Sequence, residues 1–159
     1  MRNYVENIRE EFRHLKDEEI ISKGTYEIQA ASFIANEDYI FGTPNQAYID
    51  AELEWYKSMS LNVNDIELYY GLVPKIWERV SDQEGYINSN YGWCIYSNAI
   101  YMRSNDAIFG YMNDVAWQRF VLNELCEELS HAHDNIKPGD IHWHASSIHV
   151  YERHWDLIV

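Results

Sequence analysis

At 159 residues the chain suits one domain able to bury a core, and its 47% hydrophobic and 15% aromatic content is globular, not disordered. A net charge of -14 excludes a duplex-binding surface, which demands clustered Lys and Arg, but 12 such residues are enough to grip a single phosphate. No run approaches a membrane span, the N-terminal stretch is too charged for a secretion signal, and Cys94 with Cys126 makes no disulfide framework, so a reducing cytoplasm is expected.

Residues 4–16 place Val5, Ile8, Phe12 and Leu15 at helical spacing, which predicts an amphipathic helix. Residues 25–34 alternate in part and are rich in β-formers, so a strand is expected. Gly42, Thr43, Pro44 and Asn45 form a turn that launches a helix through about Met59. Residues 74–80 predict another short helix, and residues 88–92 a polar, turn-rich patch. A strand is expected over 99–103. From Asp114 the pattern becomes helical: Trp117, Val121, Leu125 and Leu129 recur every four residues, and Phe120, Leu122 and Cys126 widen the stripe. After Pro138 and Gly139, the residues Ile141, Trp143, Ile148 and Val150 favour extended structure. No repeat or linker interrupts the chain, and the class is α+β in a single domain over residues 1–159.

The segment Arg103-Ser104-Asn105-Asp106, followed by Gly110 and Asp114, concentrates the chemistry. Arginine beside serine offers a planar fork of donors plus a hydroxyl, a ready grip for phosphate. A surface ion pair is the plainer role for Arg103. Gly110 lets a backbone approach a flat ligand. Asp114 is a good N-cap type for the helix it opens. Its carboxyl group can also accept from an amino group and, when protonated, donate to a ring nitrogen. Asn113 stands beside it, and a slip of one residue would offer a carboxamide instead; the unbroken spacing from Arg103 favours Asp114. Glu52 is either a charged residue on an amphipathic helix or a partly buried carboxylate suited to proton transfer. Tyr91 either packs or lies near a site. His149 and Tyr151 stand two apart in a strand and share one face. His131 with His133 and His142 with His144 form H-x-H pairs, but no third ligand converges, so no metal is expected.

Four of these segments, in matching order, resemble the thymidylate synthase family, which includes the phage deoxypyrimidine hydroxymethylases. Glu52-Leu53-Glu54-Trp55 resembles the family's E-L-x-W. Ile76-Trp77 followed by Gly85 to Tyr91-Gly92 resembles I-W … G-x-x-G-x-x-Y-G, with Asn88 where a second glycine is usual. Arg103 to Asp114 matches R-S-x-D-x-x-x-G-x-x-x-(N/D). His149 to His154 resembles D-x-H-x-Y-x-x-H, with Ser147 in place of the aspartate. The resemblance implies a thymidylate synthase-like domain, a mixed sheet flanked by helices, acting on a pyrimidine nucleoside monophosphate with 5,10-methylenetetrahydrofolate. Arg103 and Ser104 would hold the 5′-phosphate, and His149 and Tyr151 the sugar hydroxyl. Gly110 would lie beneath the ligands, with Tyr91 near the site. Glu52 and Asp106 would manage protons. An asparagine in the last motif position reads uracil, whereas Asp114 suits cytosine, so dCMP is favoured over dUMP.

The family's nucleophilic cysteine, in a P-C-H segment between the Y-G stretch and the R-S motif, has no equivalent here. Only ten residues, 93–102, fill that interval, and neither Cys94 nor Cys126 resembles the nucleophile. The family's segment is missing near residues 97–98, either left out of this sequence or deleted from the gene, and the intact stretches Tyr91-Gly92-Trp93 and Ala99 to Met102 on its two edges favour omission; the arginines that the family lends across its homodimer are missing too. A phage-encoded enzyme in the host cytoplasm and a non-catalytic nucleotide-binding or dimerising relative both fit. So do a dUMP hydroxymethylase and a thymidylate synthase.

Overall fold

A face of apolar side chains at helical spacing needs a partner surface, and the first helix finds one: Val5, Ile8, Phe12 and Leu15 are all buried. A computed structural model describes residues 3–88, 90, 103–132 and 136–159. In chain order the elements are α1 (Val5–Asp17), β1 (Thr25–Ile34), α2 (Gln46–Lys57), α3 (Glu67–Tyr70), α4 (Lys75–Val80), β2 (Ser104–Asp106), α5 (Gly110–Ser130) and β3 (His142–Tyr151). Short 3-10 helices occupy Val63–Ile66 and Glu152–Leu157. The class is α+β, as expected. The chain forms two compact units, Met1–Pro44 with Met102–Val159, and Asn45–Tyr101.

The first unit is built on a three-stranded mixed sheet in the order β1-β3-β2. The long strands β1 and β3 pair antiparallel from Thr25↔Tyr151 to Ile34↔His142, and β2 joins β3 in parallel. Phe12, Phe33, Tyr111, Trp143 and Ile148 belong to one buried cluster on this frame, each side chain contributing on the order of 1.5–3 kcal/mol.

The alternation within β1 is only partial for a physical reason. Ala30 has φ +51°, a left-handed conformation inside a strand. On one side of it the inward residues are Tyr26 and Ile28; on the other they are Ala31 and Phe33. Strand β3 changes parity at the same level, from Trp143 and Ala145 to Ile148 and Val150. His149 and Tyr151 consequently point away from the buried set.

Helix α5 departs from expectation at both ends. It begins at Gly110, one turn before Asp114, with Phe109 at the cap position and no side-chain cap. Asp114 is therefore an interior helical residue and not an N-cap. At the other end Leu125 and Leu129 are 54% and 41% exposed, and Cys126 is only half-buried. The buried residues of α5 all fall between Tyr111 and Trp117; Phe120 stacks on Trp117 at 5.3 Å, and the later part of the expected apolar stripe, Leu125 and Leu129, lies outside the core. The extended residues Trp143, Ile148 and Val150 lie within β3, and Glu152–Leu157 after it coils into a 3-10 helix.

In the second unit the Asn45 side chain caps α2 by accepting from the Tyr48 backbone N–H at 3.2 Å. Ile49, Trp55 and Tyr56 are buried, as are Val63 and Ile66. The Trp55 and Trp77 rings meet edge to face at 5.0 Å. Gly85 has φ +89°, and a Cβ there would lie 2.4 Å from Asn64 Nδ2, so this turn excludes any side chain. Of the expected 99–103 strand, residues 99–102 lie outside the described residues, as do Tyr91, Cys94, His133 and the 97–98 join.

Candidate functional site

Parallel pairing of β2 with β3 aligns two motifs that are far apart in sequence. Ser104 faces Ser147, Asn105 faces Ile148, and Asp106 faces His149. Because strand side chains alternate, Ser104, Asp106, Ser147 and His149 share one side of the sheet, and Asn105 turns to the other. Arg103, just before β2, is exposed and makes no ion pair with any described residue. A cationic fork with no ion-pair partner among the described residues, next to an exposed serine hydroxyl, suits an anion.

Asp106 closes the turn between β2 and α5. Its Oδ1 accepts from the Ile108 backbone N–H at 2.8 Å, and the Ala107 N–H donates to the His149 carbonyl at 2.9 Å. The first turn of α5 then sets Gly110 against the β2 residues. A Cβ at Gly110 would lie 3.2 Å from Asp106 Cβ and 3.3 Å from Asn105 Nδ2. One turn further, Asp114 is 8% exposed, and Asn105, 4% exposed, donates from Nδ2 to Asp114 Oδ2 at 2.5 Å. Asp114, not its half-buried neighbour Asn113, meets this amide.

Strand β1 adds a carboxylate. Glu27 lies opposite His149, and hydrogen bonds from the Ser147 and Ser22 side chains hold its pKa below the ordinary carboxylate range. Ser147, standing where an aspartate was anticipated, is thus tied to an acidic residue from the neighbouring strand. The His149 and Tyr151 rings meet edge to face at 4.7 Å, and the Arg153 guanidinium lies 4.4 Å from the Tyr151 ring centre. His154 packs its ring edge-on against Phe109 at 5.0 Å.

The second unit carries Glu52, 3% exposed, on α2. Tyr48, one turn earlier, donates its hydroxyl to Glu52 Oε1 at 2.6 Å. The Trp77 indole N–H, from α4, donates to both Tyr48 Oη at 2.9 Å and Glu52 Oε1 at 3.2 Å. Burial pushes the Glu52 pKa up to about 7, against the pull of hydrogen bonds from Tyr48, Trp77 and Tyr56, which favour the charged form. The same burial, reinforced by the Glu52 charge, keeps the Tyr48 hydroxyl protonated. A carboxyl group poised near neutrality can take up and return a proton.

In the first unit Ser104, Asp106 and His149 share one side of the sheet, Asp114 meets Asn105, which turns to the other, and Gly110 packs against both Asp106 and Asn105; Arg103 and Tyr151 are at exposed positions. Asn105, Glu27 and Tyr48 were not anticipated. Asn105 fills the unspecified position of R-S-x-D, and Glu27 depends on strand register. Tyr48 had a legible signal, the Tyr-x-x-x-Glu spacing of one helical turn. His142 and His144 are exposed on β3, and among the described residues no three His, Cys, Asp or Glu side chains gather as a metal site.

No family model matches the chain. It is similar to the deoxycytidylate 5-hydroxymethyltransferases of Enterobacteria phages T4, T2 and T6. Identity is 36% in each case, covering 84% of this chain and 78% of each relative. The T4 match extends over 197 residues although this chain has 159, so the relative carries positions without a counterpart here.

Proposed function

We propose, from the premise that this chain belongs to the thymidylate synthase family, that it places a hydroxymethyl group on C5 of deoxycytidylate. The observation that carries this reading is the 36% identity, over 84% of the chain, to deoxycytidylate 5-hydroxymethyltransferases.

In this reading Arg103 and Ser104 hold the 5′-phosphate, and His149 and Tyr151 hydrogen-bond the sugar hydroxyl. Asp114 reads the base. Cytosine offers an acceptor at N3 and a donor at N4; uracil reverses both demands. A carboxyl group protonated on one oxygen donates to N3 and accepts from N4–H, a pattern uracil cannot satisfy. Glu52, with its pKa raised to about 7, manages a proton during the exchange at C5, and Asp106 assists. Gly110 leaves room above β2, and Tyr91 lies near the ligands.

5,10-Methylenetetrahydrofolate, when bound, supplies a one-carbon unit at the formaldehyde level, so that addition of water gives a hydroxymethyl group. The second unit suits such a flat donor. Helix α4 has no buried residue, and its Ile76 and Val80 are 56% and 57% exposed, an apolar surface that a fused ring can cover. The fold is that of the thymidylate synthases, and the protein acts as a homodimer.

A second reading has an observation of its own. The relatives' extra positions, which we place at residues 97–98, would contain the nucleophilic cysteine, and Cys126 is half-buried on α5. A chain without that cysteine would bind nucleotide and not turn it over. Tritium release from 5-tritiated dCMP, with the folate donor and the intact gene product, separates the two. Release faster than from dUMP supports the enzyme, and binding without release supports the inactive relative. An intact mass matching 18.9 kDa establishes that the assayed chain is this one.

A further inference from the structure

Asn105 fills the one unspecified position within R-S-x-D, yet it is among the most buried polar residues described. Burying an amide is unfavourable unless its polar atoms are used. One of them is: Nδ2 donates to Asp114 Oδ2 at 2.5 Å. The other, Oδ1, is buried with no hydrogen-bond partner among the described residues.

We propose that Asn105 is a specificity-determining residue that acts through Asp114, a claim that rests on Asp114 being the base reader. An oxygen that receives the Asn105 N–H is thereby marked as the acceptor of the carboxyl group, and the proton is directed to Oδ1 of Asp114. Cytosine needs both halves of that arrangement, an acceptor for its amino group and a donor for N3. Without the amide, nothing from Asn105 distinguishes the two oxygens, and the proton is less strictly directed to Oδ1. The unpaired Asn105 Oδ1 works in the same direction. An unused acceptor beside Asp114 favours a base with an amino group at C4 and disfavours one with a carbonyl there.

The geometry holds the amide in place. Asn105 sits in register with fully buried Ile148, and Gly110 lies so close that a Cβ there would be 3.3 Å from Nδ2. The pair is thus fixed by a strand on one side and a helix turn on the other.

Calorimetric titration of the full chain with dCMP and with dUMP tests this, using wild type, Asn105→Ala, Asn105→Ser and Asp114→Asn, each checked by thermal melting. Asn105→Ala should weaken dCMP by about tenfold or more and leave dUMP within about threefold. Asn105→Ser, smaller but still polar, should keep part of the discrimination, and it decides the matter if the alanine variant does not fold. Equal weakening of both nucleotides in a folded variant, or no change in their ratio, overturns the proposal. If Asp114→Asn moves preference to dUMP while Asn105→Ala keeps the wild-type ratio, only the role of Asn105 falls. If Asp114→Asn leaves the dCMP preference intact, the base-reading assignment itself falls, and Asn105 with it.

Discussion

The Tyr48 hydroxyl donates at 2.6 Å to Glu52, one turn along α2, and so supplies a nearly inaccessible carboxyl group with a short hydrogen bond. Burial still dominates, raising the Glu52 pKa from 4.5 to about 7. The folded state therefore holds a proton that the unfolded state has released, and stability falls as pH rises from about 4.5 to 7. A shift of that size corresponds to about 3 kcal/mol. Chemical denaturation across this pH range should show the decline in wild type and a flatter profile in Glu52→Gln. Parallel profiles would refute the buried, neutral carboxyl group.

Tyr48→Phe removes a donor that favours the charged form of Glu52, so its cost should depend on pH. Near pH 5 the carboxyl group is neutral and the loss is small; near pH 8 an ionised group lacks its best partner and the loss is about 1–3 kcal/mol. Melting temperatures of wild type and variant at the two pH values check this. An equal deficit at both would mean that Tyr48 merely packs.

Gly110→Ala sets two effects against each other. Alanine is the better helix former by about 1 kcal/mol, but its methyl would press on Asp106 Cβ and Asn105 Nδ2. The expected result is a melting temperature close to wild type with a dCMP affinity lowered by about tenfold, because the neighbours shift by a few tenths of an ångström. Unchanged affinity would show that this contact does not matter to the ligand.

Arg103→Ala should weaken dCMP by about tenfold or more and leave deoxycytidine, which lacks the phosphate, unaffected. Titration of both ligands checks this. Equal loss for nucleotide and nucleoside would remove Arg103 from the phosphate grip.

Much of the frame was legible from periodicity. Helix α1 was expected over 4–16 and strand β1 over 25–34, because Val5, Ile8, Phe12 and Leu15, and then the run from Thr25 to Ile34, bury the residues their spacing implies. What escaped were features set by tertiary pairing. The left-handed Ala30 inverts the inward face of two strands, which no local propensity announces. Asp114 looked like a helix cap because Asp is favoured there, yet the turn made by Asp106 starts the helix at Gly110. Leu125 and Leu129 kept a core-like period but lie outside the core. At the site, motif spacing singled out Asp114, but its partner Asn105 emerged only when β2 and α5 were side by side.

Product analysis by mass spectrometry tests the central claim most directly. The intact gene product is incubated with dCMP and 5,10-methylenetetrahydrofolate, and the nucleotide is weighed. Transfer of the one-carbon unit with uptake of water predicts a gain of one CH2O on the base. Unaltered dCMP, or a base that has gained a methyl group instead, would contradict it.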